Sequence, residues 1–198
     1  MTSTLVRLAF SGIRSRILAS TLTVLLAGAA AATVVLALEV GDTGRDPWER
    51  TFAAAHGAHV LANVPTEEAA RSLRSLDGVT ESDQPVPQAV VDVEVGNGTE
   101  PLLLWGISGR PRVNAPVRTA GTASPSDGIV LERSFAAALG LDVGARLRLT
   151  GPAGDVTLPV VGTAILPSQA RYPRSNPGVA WVRLPTLEQL QPDRDQWT

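Results

Sequence analysis

Residues 17–38 form an uncharged, mostly apolar run near the N-terminus of this 198-residue chain. An α-helix of these 22 residues would be about 33 Å long, which is enough to cross a hydrocarbon core about 30 Å thick. A buried helix of a soluble core would carry charged residues along one face, and this run carries none. The run therefore predicts one transmembrane helix over 17–38.

The charges on the two sides of this helix differ. Residues 1–16 carry three arginines and no acidic residue, whereas residues 39–198 carry 14 arginines and all 19 acidic residues. By the positive-inside rule, the N-terminus is predicted to lie in the cytoplasm and residues 39–198 to be extracytoplasmic. Apolar residues recur at helical spacing within 1–16, which favours a cytoplasmic amphipathic segment there. The predicted location is the cell membrane, with a single span.

A cleaved signal peptide is the alternative interpretation of the same residues. The basic start, the apolar residues 17–26 and the small residues 27–32 match such a peptide and offer cleavage sites. The apolar run nevertheless continues to residue 38, beyond the roughly 7–15 residues that are typical of a signal peptide. A retained helix is the preferred interpretation.

Two missing residue types exclude several kinds of chemistry. All 17 basic residues are arginines, so the chain has neither a P-loop lysine nor a lysine that could form a Schiff base. It has no cysteine, which excludes disulfides, thiolate metal sites and cysteine nucleophiles. ATP hydrolysis by a Walker site is therefore not expected of this chain.

The remaining candidates for catalysis or metal binding are weak. His56 and His59 are three residues apart, but Gly57 breaks a helix between them and no carboxylate follows at ligand spacing. Asp92 and Glu94 alternate with valines, as on the solvated face of any half-buried strand. Ser134 lies outside a Gly-x-Ser-x-Gly motif and is interpreted as helix surface. Asn97-Gly98-Thr99 matches the glycosylation pattern, but it is interpreted as a tight turn in preference to a glycosylation site. We expect no catalytic residue, no cofactor and no metal, and therefore no enzyme.

The extracytoplasmic residues 39–198 alternate between short helix and strand patterns. They predict an α+β fold: a mixed α/β domain of two lobes, about 48–110 and 126–184, that follows the one N-terminal transmembrane helix. The first lobe has a strand over 58–64, a helix over 67–76 capped by Thr66 and a hairpin that turns at 96–98.

Glycines and prolines over 108–128 predict a connection to the second lobe. The second lobe is predicted to hold strands over 129–131, 147–149, 156–161 and 179–182 and helices over 132–139 and 185–190. Pro159 favours an edge position for its strand.

Three short motifs follow one another from residue 128 onward. They are Gly-Ile-Val-Leu-Glu-Arg-Ser-Phe-Ala over 128–136, Leu-Gly-Leu with Val-Gly over 139–144, and Val-Val-Gly over 160–162. In this order they resemble the extracytoplasmic core domain of FtsX-like and MacB-like ABC transporter permeases. The basic start, the single span and the acidic stretch that leads into a helix over 48–55 are similar to the same family, so the resemblance covers nearly the whole chain.

Two departures from the family pattern affect what the resemblance implies. Ala145 stands where family members usually have an acidic residue, which alters a turn. The family's permeases continue into three more spans, whereas this sequence has no second hydrophobic segment before Thr198. We expect this chain to be the N-terminal portion of such a permease, with the core domain incomplete at its C-terminus.

The resemblance implies a mechanical function rather than a catalytic one. The chain would belong to the permease of an ABC-type exporter or an FtsX-like mechanotransmission complex, coupled to ATP hydrolysis in a separate subunit. The implied partners are a cytoplasmic ABC ATPase subunit, a second permease chain in a homo- or heterodimer, the lipid bilayer, and an extracytoplasmic protein or exported substrate.

A stand-alone, membrane-anchored domain that binds an extracytoplasmic protein is the alternative function. The long loop over 164–177, with three prolines and Tyr172, is the candidate partner-binding surface. Arg171, Arg174 and Arg183 lie near aromatic residues, but the external part is net acidic, so no nucleic acid is expected to bind.

Overall fold

The structure, a computed structural model, describes residues 2–45, 47–96, 98–192 and 196–198, with side chains at 17, over 19–39 and from 47 onward within these ranges. The chain divides into two units, Met1–Pro47 and Trp48–Thr198. The side chains on which the amphipathic prediction for 1–16 depends lie outside the described residues, as does Asn97.

The first unit consists of one long helix, α1 (Thr2–Arg45). Within it, Ala19–Glu39 has a mean hydropathy of 2.2 and no buried residue, so this helix is long and apolar enough to cross a membrane. Three of its threonines bond within the helix: the hydroxyls of Thr21, Thr23 and Thr33 each donate to the carbonyl oxygen four residues earlier, at 2.8–2.9 Å. The predicted N-terminal apolar helix is confirmed.

Two short helices follow: α2 (Pro47–Ala55), all of which except Pro47 belongs to the second unit, and α3 (Glu67–Leu73). The hydroxyl of Thr66 accepts a hydrogen bond from the backbone N–H of Ala69 at 3.2 Å, which confirms the predicted cap. The helix ends earlier than the predicted residue 76, because the N–H groups of residues 74–76 bond three residues back and tighten the chain into turns.

Eight strands and two further helices complete the described part of this unit. The strands are β1 (Pro87–Val95), β2 (Gly98–Ile107), β3 (Val117–Gly121), β4 (Ile129–Glu132), β5 (Arg146–Gly151), β6 (Gly154–Ile165), β7 (Gly178–Arg183) and β8 (Gln196–Trp197). The helices are α4 (Arg133–Ala138) and α5 (Leu184–Leu190). Together they confirm the α+β fold class and the predicted hairpin.

Six of the strands form a closed ring of pairings in the order β1, β2, β7, β4, β6, β5 and back to β1. The β2–β7 and β4–β6 pairs are parallel and the other four are antiparallel. β3 adds to β6, and β8 adds to β1. Ring closure leaves few free strand edges and encloses one side of every strand.

Side chains from the enclosed face fill the interior of the ring. Along β1, Val91 and Val93 are buried in the main core cluster, while Asp92 and Glu94 between them are exposed. Phe135 of α4 and two leucines of α5 join the same cluster. The interior is therefore a packed core rather than a channel.

The strands of the two predicted lobes lie in this one ring. β2, from the first lobe, runs parallel to β7, from the second, with Leu102 opposite Gly178 and Ile107 opposite Arg183. β1, from the first lobe, also pairs with β5, from the second, in the antiparallel direction. β2 and β7 are apolar on both faces, as is typical of strands that are buried on both sides, and this allows them to lie at the join.

Three local details differ from the sequence prediction. The connection over 108–128 contains β3, which pairs with β6. Residues 58–64 do not form a strand: only Val64 bridges to Trp197, and the rest is an irregular segment between Gly57 and Pro65. β6 is longer than the predicted strand. Its first half pairs only with β5 and ends at Pro159, and β4 pairs with β6 from Val160 onward. The N–H that Pro159 lacks is therefore not needed on the side of β6 where no strand pairs at that position.

Candidate functional site

A cavity of about 810 Å³ lies within the second unit, against the face of β2 and β7 that points away from the main core. Its walls come from the end of α2, the irregular residues 56–62, α3 with the following residues 78–86, and part of 111–116. The site is therefore built mostly from segments without strand pairing, which lie over a rigid sheet.

The sheet provides an apolar floor. Trp105, Ile107 and Trp181 line the cavity, and each is at most 8% exposed. Trp105 and Trp181 are direct neighbours in the parallel β2–β7 register, and both belong to the apolar cluster on this face of the sheet. Gly106 faces the other way, where an added Cβ would lie 2.7 Å from the side chain of Leu187 in α5. Successive residues of β2 thus face opposite sides of the sheet: Trp105 and Ile107 face the cavity, and Gly106 leaves room for α5 on the other side.

Aromatic packing forms the wall at the end of α2. The ring of Phe52 stacks on Trp48 at 4.8 Å and meets His59 edge-on at 5.2 Å between centroids. A glycine is required at position 57, because an added Cβ would lie 2.3 Å from the Phe52 ring. The chain can therefore turn tightly past Phe52 and bring residues 58–62 along the cavity.

Backbone hydrogen bonds to Asp83 hold the opposite wall. One carboxylate oxygen accepts from the N–H groups of Arg112 at 2.5 Å and Val113 at 3.1 Å, and the other accepts from the N–H of Gln84 at 2.9 Å. Asn114, in a left-handed conformation with φ of 54°, donates its N–H to the carbonyl of His56 at 2.9 Å. These bonds tie the segments 56–62, 78–86 and 111–116 together.

One donor in the floor lacks a partner. The indole Nε1 of Trp105 is buried, and no acceptor lies within hydrogen-bond distance in the described part of the chain. Buried N–H groups almost always find an acceptor, because one left unsatisfied costs about 1–3 kcal/mol. The sequence does not reveal this feature, since nothing in the pattern of β2 distinguishes Trp105 from any other core tryptophan.

The cavity brings together some of the residues that the sequence singled out. His56 and His59 both line its exposed mouth. The described residues contain no group of three or more His, Cys, Asp or Glu side chains that could hold a metal ion. The two histidines therefore contribute polar side chains to the rim of a mostly apolar cavity.

Asp92 and Glu94 do not line the cavity; they lie on the exposed face of β1. Glu94 lies 3.6 Å from Arg148, which also pairs with Asp155 at 2.5 Å. The hydrogen bond from Arg148 lowers the pKa of Asp155 below its usual value. These groups form a surface ion cluster that connects β1 to the β5–β6 hairpin.

Ser134 is not a plain helix-surface residue. It is half-buried; its hydroxyl donates to the carboxylate of Glu132 and accepts from the backbone N–H of Tyr172 at 2.7 Å. The loop that was predicted to bind a partner begins at residue 166 rather than 164, because β6 continues through Ile165. Ser134 therefore anchors that loop to the start of α4.

No protein-family model and no curated protein matches the chain. Among solved structures, it is similar to the extracellular domain of the noncanonic ABC-type transporter YknZ from Gram-positive bacteria, with 15% identity and a TM-score of 0.40. That similarity covers 67% of this chain and 68% of the other. The resemblance to FtsX-like and MacB-like permeases stays a prediction from the sequence motifs.

Proposed function

We propose that this chain is the N-terminal portion of a permease component in an ABC-type exporter or an FtsX-like mechanotransmission complex. The observation that carries the proposal is a 21-residue apolar helix without a buried residue, followed by a domain whose interior is filled by its own side chains. A helix that is apolar all round is stable in a bilayer, and the packed domain can act as a rigid body. The ordered motifs over 128–162 support the choice of family.

In this proposal the chain transmits movement and does not catalyse a reaction. A single span cannot enclose a translocation path, so transport requires a second permease chain or further spans. ATP hydrolysis belongs to a cytoplasmic ATPase subunit, since the chain has no lysine for a P-loop. The domain over 48–198 would be moved on the extracytoplasmic side when the ATPase subunits associate.

The proposed topology predicts which residues are accessible from outside the cell. The chain has no cysteine, so single-cysteine variants can be labelled without background. We expect Ser126→Cys, at an exposed position, to react with a membrane-impermeant maleimide in intact cells, and Ser3→Cys to react only after permeabilisation. Labelling of Ser3→Cys in intact cells would contradict a cytoplasmic N-terminus. A product shortened by the first 30 or so residues would identify a cleaved signal peptide.

The proposed coupling predicts a nucleotide-dependent movement. We expect the chain to copurify from its native membrane with an ABC ATPase, and a pair of spin labels at residue 126 of two permease chains to change separation between ATP-bound and nucleotide-free states. An ATPase variant that binds but does not hydrolyse ATP should hold the ATP-bound separation. An unchanged separation in the presence of a copurified ATPase would contradict mechanical coupling.

Exposed apolar side chains around the cavity favour a second candidate function, a stand-alone anchored domain that binds an extracytoplasmic protein. Val60 is 81% exposed, and Leu76 and Val79 are also exposed. Contiguous apolar exposure is typical of binding surfaces. Copurification with an extracytoplasmic protein and without any ATPase would favour this candidate over the permease.

A further inference from the structure

We propose that an apolar patch of the second unit docks on the surface of the bilayer that α1 is proposed to cross. The apolar patch consists of five exposed side chains, Trp48, Val60, Leu61, Leu76 and Val79. This docking is additional to the permease function. It rests on the proposed span, and it requires neither the family nor the ATPase.

The exposed apolar side chains of the second unit are concentrated in this patch. Four of its members, all except Trp48, line the cavity described above, and Val60 is 81% exposed. The ring of Phe52, which lines the same cavity, stacks on Trp48 and thereby extends the patch to the start of α2. In the part of this unit that the structure describes, large apolar side chains are exposed elsewhere only at Val90 and Val143. Contiguous apolar exposure of this kind indicates a surface that another apolar phase covers.

The short chain between the span and the patch argues that this phase is the bilayer. The apolar stretch of α1 ends at Glu39, nine positions before Trp48. Six of these positions, through Arg45, continue α1 at about 1.5 Å per residue, and the last three add at most about 11 Å. Trp48 therefore lies within about 20 Å of the end of the span, of which the headgroup layer occupies about 5–7 Å. Such a tether makes docking an intramolecular event, so a patch too small to hold a free protein on a membrane can still dock.

The side chains of the patch and of the cavity rim suit the boundary between water and lipid. Tryptophan is enriched at the headgroup level, because its ring is apolar and its N–H is polar, and Trp48 is 60% exposed. The charged residues of the cavity lining are one arginine, Arg74, and two acidic residues, Glu81 and Asp83. This lining has no excess of positive charge that would attract anionic lipids. Burial of apolar surface would therefore hold the patch on the bilayer, and we expect docking to depend on neither anionic lipid nor salt.

The backbone that carries part of the patch limits how deeply it can enter the bilayer. Residues 58–62 belong to no helix or strand. Irregular backbone is not tolerated in lipid-exposed hydrocarbon, because its N–H and C=O groups find no water there. The apolar side chains of an interfacial element enter only about 5–10 Å. The patch is therefore expected at the level of the headgroups and the outer parts of the acyl chains.

Tryptophan emission tests the docking on the full chain in phosphatidylcholine vesicles. The chain has four tryptophans, and Trp105, Trp181 and Trp197 are at most 8% exposed, so Trp48 is the one that lipid can reach. We expect lipids brominated near the headgroup to quench the emission, and lipids brominated near the end of the acyl chain to quench it less. The quenching should persist at high salt and should be lost in Trp48→Phe.

Single-cysteine variants test the rest of the patch, since the chain has no cysteine. An environment-sensitive fluorophore at Val60→Cys or Val79→Cys should emit at shorter wavelength than one at Val143→Cys, and the same brominated lipid should quench it several-fold more. Val143 is the matched control: it is 47% exposed, close to the 42% of Val79, and it does not line the cavity.

A charge placed in the patch should release it from the bilayer. Val60→Asp should abolish the quenching of Trp48, because a carboxylate resists transfer from water into lipid. Val143→Asp should leave the quenching unchanged. Both valines are exposed, so neither substitution is expected to unfold the second unit.

Several results would overturn the docking. Unquenched emission from a chain that floats with the vesicles would mean that the span holds while the patch stays in water, and would favour the protein-binding candidate function. A fluorophore shift that disappears as the protein is diluted in lipid would mean that a second copy covers the patch. Quenching that survives Trp48→Phe, or equal quenching of fluorophores at 60 and 143, would mean that lipid contact is not specific to the patch.

Failure of the docking can be distinguished from failure of the permease function. A chain that does not float with the vesicles would refute the span, and with it both proposals. A chain that floats but shows no quenching would refute the docking alone. Copurification with an ATPase and the nucleotide-dependent movement are measured separately and are independent of the quenching.

Discussion

Phe135→Ala is expected to lower the free energy of unfolding of the second unit by about 3–5 kcal/mol, the usual cost of deleting a buried phenylalanine side chain. Phe135 has no exposed surface and lies in the main core cluster. Its ring fills the space beside Gly178, where an added Cβ would lie 2.1 Å away, and it meets Tyr172 edge-on at 5.1 Å. Urea denaturation followed by tryptophan fluorescence measures the loss, because Trp105 and Trp181 are buried in the same unit.

Tyr172→Phe is the matched control for this prediction. It keeps the edge-on ring contact and removes only the hydroxyl, which donates to Glu100 at 3.3 Å. A hydrogen bond of this kind contributes about 0.5–1.5 kcal/mol, so the control should lose far less stability than Phe135→Ala. A loss below about 1.5 kcal/mol for Phe135→Ala would mean that the ring does not fill the core beside Gly178.

Local chemistry made parts of the fold predictable from the sequence. Thr66 precedes two acidic residues and an apolar stripe, and its hydroxyl caps α3 as expected. Gly96 and Gly98 flank the turn between β1 and β2, and Gly96 has a positive φ of 58°. Such signals depend on neighbouring residues, so they can be recognised without knowledge of the rest of the chain.

The closed ring was not predictable in the same way, because it depends on contacts between residues that are distant in sequence. The paired residues of β2 and β7, such as Leu102 and Gly178, are 76 positions apart, and the apolar residues on both faces of these strands could have belonged to two separate lobes. Gly162 illustrates the difficulty: an added Cβ there would lie 1.9 Å from the carbonyl oxygen of Thr122. The sequence shows a glycine, and only the pairing of β3 with β6 shows why it is needed.

The cavity was unpredictable for a related reason. Residues 58–64 have the composition of a strand, but only Val64 makes a bridge, and residues 58–62 line the cavity without strand pairing. The sequence did indicate His56 and His59, which line the mouth, although for a metal site that it then rejected. The unpartnered N–H of Trp105 is likewise a property of packing and has no signal in the sequence.

Glu132→Ala is expected to destabilise the second unit by about 2–3 kcal/mol and to release the loop over 166–177, because a buried cap with charge-assisted bonds would be lost. Glu132 is 6% exposed and precedes α4. One of its carboxylate oxygens accepts from the N–H groups of Ser134 at 2.8 Å and Phe135 at 3.0 Å, and from the Ser134 hydroxyl. Glutamate is not among the usual N-cap residues, so its role could not be read from the sequence.

The loop should respond because Ser134 connects it to this cap. With Glu132 replaced by alanine, the Ser134 hydroxyl loses the acceptor that orients it toward the N–H of Tyr172. Amide exchange at residues 170–176 should then accelerate more than exchange in β1, as measured by hydrogen–deuterium exchange with mass spectrometry. Glu132→Gln keeps an acceptor oxygen and should cost about 1 kcal/mol, and Glu94→Ala, at an exposed strand position, should leave the loop unchanged. Equal exchange in the loop for Glu132→Ala and Glu94→Ala would mean that the loop is held by its own contacts and not by the start of α4.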